Sequence, residues 1–318
     1  MQAWKALAAF ASVAALGAHA EFPQRTVTLV VPFTPGTGAD LIARVIQPQL
    51  AQALKVAVVV ENKPGASGAI GTQAVADAQP DGHTLLFTAT SHGTVPALRK
   101  NLPFDPVRSF TPVALTATSA MAFVVSTRLG VKSFDDFVSL AKKVPGQLNY
   151  SSPGNGSIQQ MAMELVKLET GMDIVHVPYK GSSGAATDLV GGRVQASVGA
   201  LQTMAPFVKA GKMQMLAVFS EERSPAFPEV PTLKELGHPK LVIDTWYGIF
   251  APAETPNMVV DRVNTEVNAT LRDPRTRAAL ERLGMTPVTD RPERLGRLLD
   301  DELTRWKHVV ADAHIEGD

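Results

Sequence analysis

The chain has no cysteine, so neither a disulfide framework nor a lipid-modified cysteine anchor is available to it. It lacks an excess of either charge as well, because 30 basic and 30 acidic side chains balance across 318 residues. A balanced chain leaves no electrostatic footprint for nucleic acid or for an anionic membrane surface. Long Lys/Arg runs are missing, and the main apolar run, ALAAFASVAALG, is too short to anchor the chain across a bilayer, which takes about 20 residues. With 45% hydrophobic residues the chain still has material for two ordinary domains. A small molecule or another protein is the expected partner.

The usual catalytic signatures are also absent. A phosphate loop needs a lysine after its glycines, and a dinucleotide fingerprint needs a third glycine where Leu41 stands after Gly36 and Gly38. No G-x-S-x-G elbow occurs. His83, His92, His176, His238, His308 and His314 are scattered without ligand spacing, so surface or core roles are expected for them. Only His92, in TSHG at a strand end, is a candidate for ligand contact. No metal and no cofactor are expected.

What is present begins with an address. MQAWK carries a positive charge, the apolar run follows, and Ala18-His19-Ala20 offers the small-residue pattern of a cleavage site. Residues 1–20 are therefore read as a secretory signal peptide, and the mature protein as exported and soluble.

From Glu21 onward one unit recurs: an apolar β-branched run, a loop of Gly, Ser, Pro or Thr, then a helical stretch. VTLVV leads to PFTPGTG and ADLIARVIQPQLAQAL; VAVVVENKPGASG leads to AIGTQAVADA; HTLLFTAT leads to SHGTVPALRK. QLNYSS leads to PGNGSIQQMAMELVKLE, and DIVHVPY to KGSSGAATDLVGG. Alternation of this kind argues for α/β architecture with parallel sheets. In such sheets the loops after the strands gather at one edge, where ligands bind. Leu41, Ile42, Val45, Ile46 and Leu50 recur at helical spacing, Asp40 suits a first turn, and Pro48 predicts a bend or break. Two extended apolar passages, 117–128 and 241–256, read as crossings between two lobes.

A glycine-rich loop at a helix start binds anions through backbone N–H groups alone. TPGTG is one such loop, and a plain tight turn is its alternative. SSPGNGSIQQ repeats the theme with Ser152, Asn155 and Ser157, where Ser157 has a capping role as alternative.

The ordered set VVPFTPGTGAD, VVVENKPGASGAIG, PDGHTLL, LPFDPVRSFTPVAL, LNYSSPGNGS, DIVHVPYKGSSGAATDLVGG, FVKAGKMQMLAVFS, ERSPAFPEVPTLKELG and TWYGIFAPAETP resembles the Bug family, the extracytoplasmic solute receptors of tripartite tricarboxylate transporters. The resemblance covers essentially the whole mature chain. It implies a two-lobed periplasmic binding protein (Venus flytrap) fold, each lobe a mainly parallel sheet flanked by helices, with two crossover strands at the hinge. It further implies lobe I at 21–121 and 245–318, lobe II at 122–244, and a cleft for a small carboxylate delivered to the membrane permease subunits of such a transporter. A monomer without a membrane anchor is expected. By position, the resemblance assigns ligand contact to Phe33, Thr34, Gly36, Thr37, Gly38 and Asp40, to Ala66, Ser67 and Gly68, and to Ser91 and His92. On the second lobe it assigns Ser152, Gly154, Asn155, Gly156, Ser157, Tyr179, Lys180, Gln202 and Thr203.

Three positions depart from what many relatives carry: Thr37 replaces a second glycine, Gln160 a histidine, and Gly199 an acidic residue. Loss of the acid favours a plain carboxylate over an amino acid as ligand. Two other readings stay open, an exported enzyme acting on a carboxylate and a ligand sensor docking on a membrane signalling protein.

Overall fold

The computed structural model describes residues 22–99, 101–179, 181–312 and 315. The expected signal peptide and Lys180 lie outside the described residues. β1 (Val27–Val31) is flanked by β2 (Val58–Asn62) and β3 (Thr84–Ala89), all parallel. Their connections are α1 (Gly38–Leu54) and α2 (Ala69–Ala76), and α3 (Ser91–Leu98) follows β3. A second parallel trio comprises β5 (Asn149–Ser152), β6 (Val175–Pro178) and β7 (Ala196–Ala200). Their helices are α5 (Ile158–Thr170), α6 (Ser182–Gly191) and α7 (Leu201–Lys209), and α4 (Phe134–Lys143) precedes β5.

One long strand, β4 (Phe110–Ser126), joins the two trios. From Phe110 to Ala120 it pairs antiparallel with β9 (Asp244–Pro252), which borders β3. From Met121 its partners change to β7 and β8 (Met213–Val218). The chain crosses back just before β9, where the Ile243 amide still bonds Phe219 while Asp244 already pairs with Ala120. Both passages read from the sequence as crossings thus lie where strand partners change. α8 (Asn257–Arg272), α9 (Pro274–Arg282), the short β10 (Thr286–Pro287) and α10 (Pro292–Asp312) complete the chain.

The inner strands β1, β3 and β7 are buried almost throughout, as covered parallel strands are, whereas the edge strands β2 and β6 keep exposed positions. Ile42, Ala43, Ile46, Leu50 and Leu54 of α1 meet Val260, Val263 and Val267 of α8 over the first sheet. α10 packs Leu295 and Leu299 on the opposite face of that sheet, yet buries Trp306 and Val309 in the core under β5 and α5. One helix therefore ties both sheets. The break expected at Pro48 is not found, since α1 runs unbroken through it. Pro48 and Arg44, four residues earlier, are both exposed, so the Arg44 carbonyl that loses its amide partner can turn to water.

Candidate functional site

The β1–α1 loop is built around Asp40. Its carboxylate accepts from the Gly36 amide at 2.9 Å, from Arg44 Nε at 3.0 Å and from Asn62 Nδ2 at 2.9 Å, and the residue is buried. Burial opposes the charge, but these donors outweigh it and hold the carboxyl below its ordinary range. Asn62 also donates to the Phe33 carbonyl at 3.1 Å. Asp40 is thus turned into its own loop and shapes it, while Thr34 and Gly36 are exposed at the tip. Gly36 has φ 85°, a left-handed angle that suits glycine. Thr37 spends its hydroxyl on the Thr34 carbonyl at 3.0 Å. The amides of Gly38, Ala39 and Asp40 open α1 and have no acceptor within the helix.

Gly38 is required for a second reason. A Cβ there would lie 2.3 Å from the Tyr247 hydroxyl, so a buried phenol sits directly against the helix start. Tyr247 in turn hydrogen-bonds Gln202 at the start of α7, and burial pushes the phenol up to about 12, with Gln202 pulling the other way. Ser119 of β4 donates to Gln202 Oε1 at 2.5 Å. The first loop and α7 are therefore linked through Tyr247 and Gln202, and Thr203 is exposed beside them.

The turn Ala66–Gly68 lies against the first loop, with Gly68 close to Phe33 and Pro32. Phe33, Gly68, Thr72, Ser91, His92 and Val95 share the lining of one small pocket. His92 contributes a ring wall to that pocket. Its Nε2 bonds the Pro106 carbonyl at 3.0 Å, and its ring packs against Phe104, Phe110 and Phe250. Burial drives it down to about 4, which the Pro106 bond only partly opposes.

On the facing side, the β5–α5 loop turns on Gly154 (φ 141°) and Gly156 (φ 78°). Ser157 caps α5, accepting from the Gln160 amide at 3.3 Å and donating to the Gly154 carbonyl at 2.7 Å. Asn155 is exposed at the tip. Ser152 is fully buried and bonded to His176 Nε2 at 2.7 Å. Gln160, also buried, takes the Gly156 amide at 2.8 Å and places Nε2 3.3 Å from His176 Nδ1. Tyr179 sends its hydroxyl away from this loop, to Asp188 at 2.7 Å. Burial and Asp188 push that phenol up to about 12.

The two loop sets meet. Thr94 of α3 donates to the Gly156 carbonyl at 2.7 Å, and a Cβ on Gly156 would lie 3.6 Å from Val95, which also lines the first pocket. Thr94, Gln160, His176, Ser119 and Tyr247 were not among the residues selected from the sequence as site candidates. Each supports a loop, and their adjacency in space shows which loop each one holds. Gly199 is covered by Met204, whose Cε would lie 2.0 Å from an added Cβ.

Two α/β lobes joined by shared strands, with glycine loops meeting across their junction, define the class of two-lobed periplasmic binding proteins. Residues 42–315 match the tripartite tricarboxylate transporter family receptor, and the chain belongs to that family. It is similar to the periplasmic binding protein BugD, with 30% identity and a TM-score of 0.84 over 93% of this chain and 100% of that one. A structure of an R. palustris protein with adipate is 33% identical, with a TM-score of 0.86, covering 94% of this chain and 100% of the other. MatC from Rhodopseudomonas palustris with bound malate is 34% identical, with a TM-score of 0.81, over 91% and 100%. Among the described residues no helix is long and apolar enough to cross a membrane.

Proposed function

We propose that the chain is a periplasmic receptor that captures a small carboxylate reversibly between its lobes and presents it, as a monomer, to a transporter permease. One observation carries this reading: Thr37 and Asp40 in the first loop and Ser152, Ser157 and Gln160 in the second have already used their side chains internally. Asp40, Ser152, Ser157 and Gln160 shape backbone, so what remains toward a guest is mainly main-chain N–H at Gly38, Ala39 and their neighbours. Such donors suit an anion, and hydrogen bonds to a charged group are worth about 1.5–3 kcal/mol each. Relatives solved with adipate and malate support a carboxylate as the guest. Met204 over Gly199 leaves no acid there to meet a ligand ammonium, which favours a plain dicarboxylate over an amino acid.

We place the lobe boundaries where strand partners change, between Ala120 and Met121 and between Ile243 and Asp244. The exported-enzyme reading has one feature to answer for, the Ser152–His176 pair. A serine nucleophile needs access to substrate and a base oriented by an acceptor. Ser152 is fully buried, and an amide nitrogen rather than a carboxylate faces His176 Nδ1. The pair therefore supports binding architecture, not acyl transfer.

The test is a thermal-shift screen of the mature chain against small organic acids, adipate and malate included. A true ligand raises stability by about 2.7 kcal/mol at a hundredfold excess over Kd and is recovered chemically unchanged. A converted product on recovery, or no response from any acid, would reject the proposal.

A further inference from the structure

Behind the β5–α5 loop runs a chain of polar contacts that the ligand reading does not use. Its donors and acceptors allow one arrangement. The Gly156 amide can only donate, so Gln160 must present Oε1 to it, at 2.8 Å. Gln160 Nε2 therefore faces His176 Nδ1, at 3.3 Å, and that nitrogen must be the unprotonated one. The imidazole hydrogen is then on Nε2 and is donated to Ser152 Oγ, at 2.7 Å. Ser152 also accepts from the Gly154 amide at 3.2 Å, which leaves its own hydrogen for the Gly154 carbonyl at 3.1 Å. Every polar atom has a partner, and both glycine peptides are fixed from the rear.

We propose that Gln160 and His176 are positioning residues for ligand capture: a neutral imidazole in the Nε2–H form holds Ser152 and, through Gln160, the Gly156 amide, so that a second proton on His176 loosens the second-lobe loop. A proton on Nδ1 would set two donors face to face. Flipping the Gln160 amide to relieve that contact sets Nε2 against the Gly156 N–H instead. Either way one bond behind the loop is lost, and the Thr94 contact between lobes is made to the carbonyl of the same residue, one peptide further on.

The surroundings favour the neutral ring. It stacks on Tyr150 at 4.8 Å between centroids, and Tyr150 donates to Glu164 Oε1 at 2.5 Å. Lys167 holds Glu164 at 2.8 Å, so the one acid facing the imidazole is already matched. Burial lowers His176 to about 4; Glu164 opposes this and Lys167 adds to it.

This inference rests on the carboxylate reading, and its test separates the two. In the full mature chain with labelled histidine, nitrogen NMR at neutral pH is expected to show the Nε2–H tautomer at His176. Q160L is expected to speed hydrogen exchange at the Gly156 amide and to weaken binding of adipate or malate, whichever the wild type takes, by about tenfold or more well below Tm. Q160E keeps the acceptor for Gly156 but asks Nδ1 for a proton. It should retain affinity within about threefold while the His176 titration moves upward. An Nδ1–H tautomer, or Q160L with wild-type affinity and Gly156 protection, would overturn the proposal. Should no acid of the panel bind the wild type, the carboxylate reading falls, and tautomer and exchange data still decide the positioning claim.

Discussion

Ser157 carries the sharpest choice at the scale of single residues. Its hydroxyl is engaged as an N-cap and as a donor to Gly154. S157A should therefore cost about 1 kcal/mol of stability, the usual worth of such a cap. Calorimetric affinity measured beside Tm checks this, since a direct ligand contact would reduce affinity more than stability. Gly38 has less latitude. In G38A the new methyl would overlap the Tyr247 hydroxyl, which lies 2.3 Å from the Cβ position, and overpacking of a buried ring typically costs about 1–3 kcal/mol. Denaturant midpoints should fall accordingly, and ligand affinity with them, because the same ring bonds Gln202. Two histidines, His92 buried and His176 half-buried, set a pH dependence. His92 and His176 both titrate near 4 in the fold, burial being the main cause, against an ordinary value of 6.5. The unfolded chain thus takes up their protons first, and stability should be full above about 6.5 and decline as pH falls toward about 4. Scanning Tm across that window in wild type and H92F should show a flatter decline in the variant.

At the scale of elements, close approach decides what each glycine is for. Gly71 of α2 faces backbone, with Lys63 O at 2.6 Å and Pro32 Cα at 2.9 Å from a Cβ position. Backbone cannot step aside as a flexible side chain can, so G71A should destabilise the first lobe by about 1–3 kcal/mol. Urea unfolding would measure the loss. The strand–loop–helix units were legible in the sequence because β1 and β3 are largely apolar, β-branched runs and each following loop is a cluster of Gly, Ser, Pro and Thr. VTLVV and HTLLFTAT became β1 and β3, and the two crossing passages fall on β4 and β9. Pro48 does not break α1, because its cost depends on solvent access to the Arg44 carbonyl, a property of the packed helix and not of the local pattern. The supports of the loops were harder to read. Gln160 lies one turn into α5, His176 on a neighbouring strand and Tyr247 on β9, and no spacing in the chain announces that they converge.

For the whole molecule, the connection between lobes involves more than the two crossing segments. α10 sets Leu295 and Leu299 on the first sheet and Trp306 in the second core. The proposed capture between lobes would therefore turn about this helix as well as about β4 and β9. Balanced charge has a consequence at this scale too, because the proposed capture would then rely on directed N–H groups and not on a long-range field. Calorimetry of the mature chain with a dicarboxylate that stabilises it, and with the dimethyl ester of the same acid, addresses that reliance most directly. The free acid is expected to bind and the uncharged ester, equal in carbon skeleton, to show no measurable heat. Equal affinity for both would contradict capture of a carboxylate by main-chain donors.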